Sequence, residues 1–342
     1  MKKGLLNMLV CVLAAALCSC NHKELCYHHP HTASVKVEFD WRDAREASPE
    51  GMCVFFYPME GEEAPMRRFD FKGKTGGQID IQVGKYRVLC YNNDTETVYF
   101  TGMSRYDTHS ILSPESGMFE PLGYSSSFVP RASEDERIVR VPEMMWGCHA
   151  TEVELTPDQV KYLSAPVYNV APEDDRAHTL TISRDLEIVL YPHELVSRYT
   201  LEVRNVENLS HATQMCASLT GMSGMIKMDL ETLDNESVTL PYACYKYNET
   251  TIRGNFYTFG HSLQNPDPHY VVLYVWMDDG KIYCYGLGEN RFDLTEQVHT
   301  APDPRNVFLV IDGLGLPRPI SNGSGFGPSV DDWQNENHDI EM

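Results

Sequence analysis

Short segments of alternating apolar and polar residues, separated by turn residues, limit the folds that this 342-residue chain can adopt. Residues 34–41 alternate strictly between apolar and polar side chains. A period of two is typical of a β-strand with one buried face. A continuous apolar run at residues 52–57 ends at Pro58, and turn residues recur about every eight to twelve positions. The pattern predicts a β-sandwich or barrel and argues against a βαβ fold.

The second half of the chain repeats this pattern with a different sequence. Residues 186–191, 199–206 and 251–259 have the composition of strands, and residues 270–277 form the most apolar run. An Asp-Asp-Gly turn follows that run and predicts a β-hairpin. The second half is therefore expected to be β-structure as well.

Chain length and this repetition predict two domains, because a domain usually has about 100–200 residues. We expect an all-β fold of two tandem β-sandwich domains, at residues 34–165 and 166–318, with long loops and few short helices. Residues 102–135 are rich in Gly, Pro and Ser and predict a long loop. Residues 207–222 predict a short helix after a polar start. The polar, acidic tail at residues 319–342 predicts disorder.

The first 19 residues have the layout of a bacterial lipoprotein signal peptide. A basic start and a short apolar run are followed by Leu17 and Ser19, the residues that a lipoprotein signal peptidase reads before Cys20. Cys18 is a poorer choice because the bulky Leu17 precedes it. We expect cleavage after Ser19, acylation of Cys20 and a tether at residues 20–33. An ordinary signal peptide and an uncleaved anchor are the alternatives.

Acylation of Cys20 would attach the protein to a membrane without a transmembrane helix. One fatty chain binds a bilayer only marginally, whereas several chains, palmitate among them, hold stably. The net charge of −21 is spread along the chain, which argues against nucleic acid and against direct docking on anionic lipid headgroups. The predicted membrane partner is therefore reached through the lipid alone.

Ten cysteines show no pattern typical of a disulfide framework or a zinc site. Most of those after Cys20 are expected to be buried free thiols, and a pairing of Cys53 with Cys90 stays open. The tether carries Cys26 and four histidines, which form either a transition-metal site or a polar spacer. The spacer is favoured because nothing pre-organises these side chains. No metal or cofactor is predicted. The cysteines after Cys20 are Cys26, Cys53, Cys90, Cys148, Cys216, Cys244 and Cys284.

The catalytic motifs in the sequence are incomplete. His193 and Glu194 begin like a zinc-protease helix, but Ser197 stands where the second histidine belongs. Residues 260–264 begin like a nucleophile elbow, but Gln264 replaces the final glycine. No catalytic residue is predicted, and the chain is expected not to be an enzyme. A glycosidase-type pair of carboxylates stays open at the level of sequence.

Ten short stretches, in this order and spacing, resemble Bacteroidetes lipoproteins of the FimB-like fimbrillin superfamily. They are residues 39–41, 51–52, 55–58, 84–86, 91–96, 217–222, 259–260, 279–280, 292–298 and 316–317, and the resemblance covers residues 34–318. It implies two transthyretin-like β-sandwiches that are lipid-anchored to the outer membrane at the cell surface. It also implies a non-enzymatic fimbrial anchor or accessory subunit, whose partners are fimbrial subunits joined by β-strand addition.

Two sequence features favour an anchor that accepts a strand. The Gly-rich tail lacks the alternating apolar residues of a donor strand. The first arginine after Cys20 is Arg42, so the tether lacks the arginine at which stalk subunits of the superfamily are trimmed. Strand acceptance predicts an incomplete sheet with an open apolar groove.

The alternative function is a surface glycan-binding or adhesion module. Its candidate residues are the tryptophans Trp41, Trp146, Trp276 and Trp333, together with the many tyrosines. This function predicts coplanar, exposed aromatic rings surrounded by amide and acidic side chains. An enzyme would instead show a closed pocket with carboxylates or histidines at reacting distance.

Overall fold

The computed structural model describes residues 32–59, 65–125, 129–155, 168–169, 181–182 and 187–318. This part of the chain is mostly β-strand and contains one α-helix, α1 (Thr295–His299), so the prediction of an all-β sandwich fold is confirmed. No helix in it is long and apolar enough to cross a bilayer. The predicted signal peptide, the tether as far as residue 31 and the predicted disordered tail lie outside the described residues.

The strands form four sheets. Sheet I contains β1 (Thr32–Phe39), β4 (Gly77–Gln82), β10 (Tyr168–Asn169), β11 (Thr181–Ile182) and β12 (Glu187–Leu190). Sheet II contains β2 (Gly51–Pro58), β3 (Arg67–Lys72), β5 (Gly84–Asn92), β9 (Trp146–Leu155) and β13 (His193–Glu194). Sheet III contains β6 (Tyr99–Thr101), β7 (Ser110–Leu112), β16 (Met225–Lys227) and β17 (Thr232–Leu233). Sheet IV contains β8 (Arg137–Ile138), β14 (Ser197–Glu207), β15 (Ala212–Ser223), β18 (Ser237–Asn248), β19 (Thr251–Thr258), β20 (Tyr270–Met277), β21 (Ile282–Tyr285), β22 (Phe292–Asp293) and β23 (Asn306–Gly315).

Sheets I and II pack face to face as a β-sandwich. In β1 the predicted alternation is confirmed, because Val35 and Val37 are fully buried between the sheets. The apolar run of β2 is buried on both faces, since Val54 and Phe56 face sheet I whereas Phe55 packs in a second cluster against sheet III. A strand covered on both sides is expected to be continuously apolar.

This first sandwich includes strands from beyond the predicted domain boundary at residue 165. β12 pairs in parallel with β1, with Ile188 opposite Val37. β13 pairs with β9, with His193 opposite Gly147. Apart from β8, the described strands of sheet IV therefore begin only at β14, after β13. Composition shows where loops lie, but it does not show which strands pair across them.

Sheet IV curls so that one of its faces encloses a core. Its order is β21-β20-β15-β18-β19-β14-β23. Buried residues from both halves of the sheet, such as Leu273 of β20 and Leu309 of β23, belong to one cluster. Within that cluster, the rings of Tyr242 and Phe256 stack with centroids 3.9 Å apart. Helix α1 adds Val298 to the same core.

The segment between β7 and β9 covers the outer face of β15 and β20. The ring of Phe119 meets Tyr274 and Trp276 edge-on, with centroids 5.1 and 4.7 Å away. The Tyr274 hydroxyl donates to the carbonyl oxygen of Pro130 at 2.5 Å. Much of the predicted long loop at residues 102–135 is therefore a packed layer on sheet IV.

The predicted helix at residues 207–222 is wrong. After a short 3₁₀ turn at Leu209–His211 the chain forms β15, which lies between β18 and β20. A central strand buried on both faces presents apolar and small residues without alternation, which resembles the pattern of a buried helix. Residues 212–223 form a strand because they pair with β18 and β20, and the local sequence pattern does not show that pairing.

Candidate assembly surface

The sheet edges, where a partner strand can add, differ in length and charge. Sheets I and II end on one side at β4 and β3, which have six residues each, and on the other side at β10 and β13, which have two residues each. In β3 the exposed side chains are Arg67, Arg68, Asp70 and Lys72. Sheet IV ends at β21, which has four residues, and at β23, which has ten residues. Because unpaired backbone groups on an edge attract another strand and charges discourage it, β23 is the candidate surface for assembly.

The strand β23 lies parallel to β14 and completes the core of sheet IV. Val307, Leu309 and Ile311 point inward and are at most 7% exposed. Phe308 points outward and is 49% exposed. Among the described residues, this side of sheet IV therefore offers a backbone edge and not the expected apolar groove, because the core beneath β23 is already filled.

The side chain of Gln297, from α1, covers part of this edge. Its Nε2 donates to the carbonyl oxygen of Val310 at 2.9 Å, and its Oε1 accepts from the amide of Val310 at 2.8 Å. Both backbone groups of Val310 thus face away from β14. Since these groups alternate in direction along a strand, those of Phe308 and Asp312 face the same free edge. The Gln297 amide therefore makes the two hydrogen bonds to Val310 that one residue of a neighbouring strand would make.

The outer face beside this edge carries an ion-pair network between aromatic rings. Glu202 accepts from Arg253 Nε at 3.0 Å and from Arg204 Nε at 2.8 Å. Those hydrogen bonds, Arg253 first, lower the pKa of Glu202 against the effect of burial. The Arg253 guanidinium lies 3.3 Å from the ring centroid of Tyr247, and Arg204 lies 5.7 Å from that of Phe308. Guanidinium groups therefore cover part of both rings.

Among the described residues, the tryptophans predicted for sugar binding do not form one exposed group. Trp276 is 7% exposed and packs against Phe119. Trp41 meets Trp146 edge-on with centroids 6.5 Å apart, and Trp333 lies outside the described residues. Sheet IV instead exposes other aromatic side chains. They are Tyr245, Tyr247 and Phe308.

The cysteines from Cys53 onward are buried and free. Cys53 and Cys90 belong to the clusters on opposite faces of sheet II, so they do not meet. Cys90 faces Cys148 of β9, with the two Sγ atoms 3.2 Å apart. Burial raises the pKa of Cys53 to about 12, which disfavours the reactive thiolate. The predicted lipidation residue Cys20, like Cys26, lies outside the described residues.

The histidine of the incomplete protease motif takes part in a contact between sheets II and III. His193 Nε2 lies 2.7 Å from one carboxylate oxygen of Glu231, and His149 Nδ1 lies 3.0 Å from the other. Burial opposes the charge on Glu231, but the two hydrogen bonds outweigh it and lower the pKa of Glu231 to about 2. Because Glu231 lies in the turn between β16 and β17, the contact fixes sheet III on sheet II.

Sequence patterns did not reveal the residues of the β23 edge. The alternation at residues 307–311 predicts a strand, but it does not show that the strand lies at the end of a sheet. Gln297 lies in residues 292–298, one of the stretches on which the family resemblance rests, and the structure places it in α1. A lone polar side chain at a strand edge has no sequence signature.

Comparisons with known proteins connect the chain with surface proteins of Bacteroides and related bacteria. Over 139 residues it is 29% identical to a Bacteroides ovatus protein provisionally named fimbrium anchoring subunit Fim4B. The match covers 41% of this chain and 38% of that protein, so the chain spans well under half the length of this relative.

Two solved structures are also similar. The fold matches a provisionally named adhesin from Bacteroides ovatus with a TM-score of 0.55 and 16% identity, over 88% of this chain and 99% of that one. The fimbrial anchor protein Mfa2 from Porphyromonas gingivalis matches with a TM-score of 0.45 and 15% identity, over 82% of this chain and 91% of that one. The 29% identity to the Fim4B protein confirms the predicted resemblance to fimbrial anchor proteins.

One protein family matches more than half of the chain. The matched residues are 19–243, which include the first sandwich, sheet III and the strands β14 and β15. The family is described as a domain of unknown function, DUF5119. The chain therefore belongs to the DUF5119 family.

Proposed function

We propose that this protein is a membrane-anchored surface lipoprotein that serves as a fimbrial anchor or accessory subunit and accepts a partner strand at the free edge of β23. The observation that carries the proposal is this ten-residue edge, on which Val310 turns both backbone groups away from β14. The name of the Fim4B relative supports a role in fimbrium assembly. The proposed role is non-enzymatic.

Lipidation at Cys20 is the proposed means of attachment. Leu17 and Ser19 precede this cysteine as a lipoprotein signal peptidase requires. Several acyl chains on one residue hold a protein on a bilayer stably. The proposed location is the outer membrane, with the β-sheets at the cell surface and available to fimbrial subunits.

Strand addition at β23 would satisfy backbone groups along the whole edge. Gln297 satisfies those of Val310, whereas a partner strand would also pair with Phe308 and Asp312. Each added backbone hydrogen bond contributes a net of about 1 kcal/mol. The partner must first displace Gln297 from Val310, so the side chain acts as a removable cover.

A proline substitution tests the free edge of β23 and leaves the hydrogen bonds between β23 and β14 intact. Phe308→Pro removes an N–H that faces the free edge, and prolines are tolerated at such edge positions. We expect this variant, tagged and extracted from outer membranes in detergent, to lose its co-purifying fimbrial subunits. The matched control Phe308→Ala keeps the N–H and should retain them. Retention by a Phe308→Pro variant with an unchanged circular dichroism spectrum would overturn strand acceptance at β23.

A second experiment tests the anchor separately. Cys20→Ala removes the proposed acylation site, so the protein should leave the membrane fraction and cell-attached fibres should be lost. A Cys20→Ala protein that stays in the membrane fraction after a high-salt wash would contradict lipid attachment. Since β23 is unchanged in this variant, the two results are independent.

Glycan binding or adhesion at the outer face of sheet IV is a second candidate function. The observation that favours it is the group of exposed rings, among which Tyr245 accepts a hydrogen bond from Asn255 at 2.9 Å. The Arg253 guanidinium on Tyr247 opposes it, because it occupies a ring face that a sugar would stack on. Retardation in polysaccharide gels that Tyr245→Ala abolishes would support this function, and equal migration with and without polysaccharide would exclude it for the glycans used.

A further inference from the structure

Three histidines that are distant in sequence meet beside sheet IV. His261 follows β19, His269 precedes β20 and His299 ends α1. One ring nitrogen from each lies within 4.8 Å of the others. The Nε2 atoms of His269 and His299 are 3.1 Å apart, and the ring of His261 stacks on that of His299 with centroids 4.9 Å apart. The cluster is built of imidazole nitrogens, which are good ligands for transition metals.

The fold fixes the orientation of His269. This side chain is buried, and its Nδ1 lies 3.0 Å from the carbonyl oxygen of Thr220. Because a carbonyl only accepts, Nδ1 carries the proton and donates it, which leaves the lone pair on Nε2 directed toward His299. A ring N–H held by a backbone carbonyl is the usual outer support of a metal-bound histidine.

The surroundings let His269 pack closely against β15 and place negative charge near the cluster. Gly221 has a φ of 76°, which favours glycine, and a β-carbon there would stand 2.7 Å from Nδ1 of His269. Asp267 and Asp293 lie near enough to act on His269, and their negative charge favours a cation.

We propose that His261, His269 and His299 bind a zinc ion. Zinc binds three protein nitrogens at about 2.0–2.1 Å in sites that keep a fourth position open. Tetrahedral geometry at that distance places ligand nitrogens about 3.3 Å apart, which the 3.1 Å pair nearly meets. His299 is exposed, so water or a group from another molecule fills the fourth position. The sequence predicts no metal because the three ligands come from separate elements.

The experiment measures zinc binding to the metal-free mature chain by calorimetry and by thermal unfolding. The tether histidines and cysteines are replaced in every variant, so that they do not compete for zinc. We expect one zinc per chain and a rise of roughly 5–10 °C in the unfolding midpoint at about 100 times the dissociation constant. The replaced residues are Cys20, Cys26, His22, His28, His29 and His31.

His299→Gln is the decisive variant, because this side chain is exposed at the end of α1 and its loss should leave the fold intact. We expect the zinc affinity to fall at least about tenfold and the thermal shift to vanish. His211→Gln is the matched control, since His211 is exposed, contacts Asp278 and lies outside the cluster. It should keep both the affinity and the shift.

The zinc-free unfolding midpoints of His299→Gln and its parent should agree, which separates lost binding from lost folding. His269→Gln gives a second test from inside the cluster, because the glutamine amide can still donate to Thr220. If the parent binds no zinc, or if both variants bind zinc as the parent does, the proposal is overturned. The 3.1 Å contact is then an ordinary hydrogen bond between imidazoles.

Discussion

The edge of the first sandwich and the edge of sheet IV are protected in different ways. The strand β3 has six residues and exposes the charges of Arg67, Arg68 and Lys72. The strand β23 has ten residues and exposes Phe308, and the cover of its backbone at Val310 comes from a side chain of α1. Short, charged edges prevent unwanted pairing. This difference is expected if the β3 edge is protected against pairing with another strand and the β23 edge is able to accept one.

The charges on β3 add little to stability, which supports their role in preventing pairing. Arg68 and Asp70 lie 2.8 Å apart, but their side chains are 44% and 53% exposed. Exposed ion pairs contribute about 0–1 kcal/mol because water screens them. On the outer face beside β23, by contrast, Glu202 is buried beneath Arg253 and Arg204. The pair of Arg253 and Glu202 connects β19 with β14 inside sheet IV and does not involve the edge strand β23.

The largest effect is expected from the inward face of β23. Leu309→Ala empties a fully buried position in the core of sheet IV. We expect a loss of about 3 kcal/mol in the free energy of unfolding, measured by denaturant titration. Phe308→Ala, on the outward face of the same strand, should cost less than about 1 kcal/mol. Equal losses would mean that β23 is peripheral to the core and can detach, which would break the comparison with β3.

How far the sequence predicts the fold depends on what covers each strand. The alternation of β1 was correctly interpreted because one face of that strand is buried and the other is not. The strand β15 was mistaken for a helix because both of its faces are covered, which removes the alternation. The pairing of β12 with β1 was not predicted, since register across a long separation is set by tertiary packing.

The candidate sites were harder to predict than the fold. Gln297 matters because α1 places it against Val310, and His261, His269 and His299 meet because three elements end at one point. Neither arrangement leaves a spacing that a motif could capture. The proposed lipidation at Cys20 is the opposite case, since its prediction depends on a contiguous peptide that a lipoprotein signal peptidase reads directly.

The next largest effect concerns pH and the contact between the first sandwich and sheet III. His109 lies between Tyr57 and Tyr91, with ring nitrogens 2.6 and 2.9 Å from their hydroxyls, and burial lowers its pKa to about 4. The unfolded chain takes up a proton below about pH 6.5 while folded His109 stays neutral, so stability falls as the pH drops toward 4. We expect a loss of about 2 kcal/mol from this residue between pH 6.5 and 5.

Denaturant unfolding at several pH values checks this, with His109→Gln as the comparison. The variant should show a shallower pH dependence, and His261 accounts for part of what remains because its pKa is lowered as well. The same slope in both proteins would contradict the prediction. A split into two transitions at low pH would show that the β3 and β23 regions unfold independently.

A smaller effect on stability, but a direct one on the edge, is expected from Gln297→Ala. The substitution removes two hydrogen bonds to Val310 and should cost about 1 kcal/mol. It also uncovers the β23 edge, so binding of fimbrial subunits or self-association should increase, measured by co-purification and by sedimentation velocity. Glu296→Ala, at an exposed position of the same helix, is the matched control. Unchanged association after Gln297→Ala would mean that this side chain does not guard the edge.

The smallest change in stability is expected at the other edge. Arg67→Val replaces an exposed charge on β3 by a β-branched apolar residue, and should change the free energy of unfolding by less than about 0.5 kcal/mol. Removing the charge makes β3 a better template for pairing, so sedimentation velocity should show new dimers. Arg45→Val, at an exposed loop position, should stay monomeric. If Arg67→Val also stays monomeric, the charge of Arg67 is not what keeps β3 single, and the contrast with β23 rests on the remaining charges of Arg68 and Lys72 or on strand length.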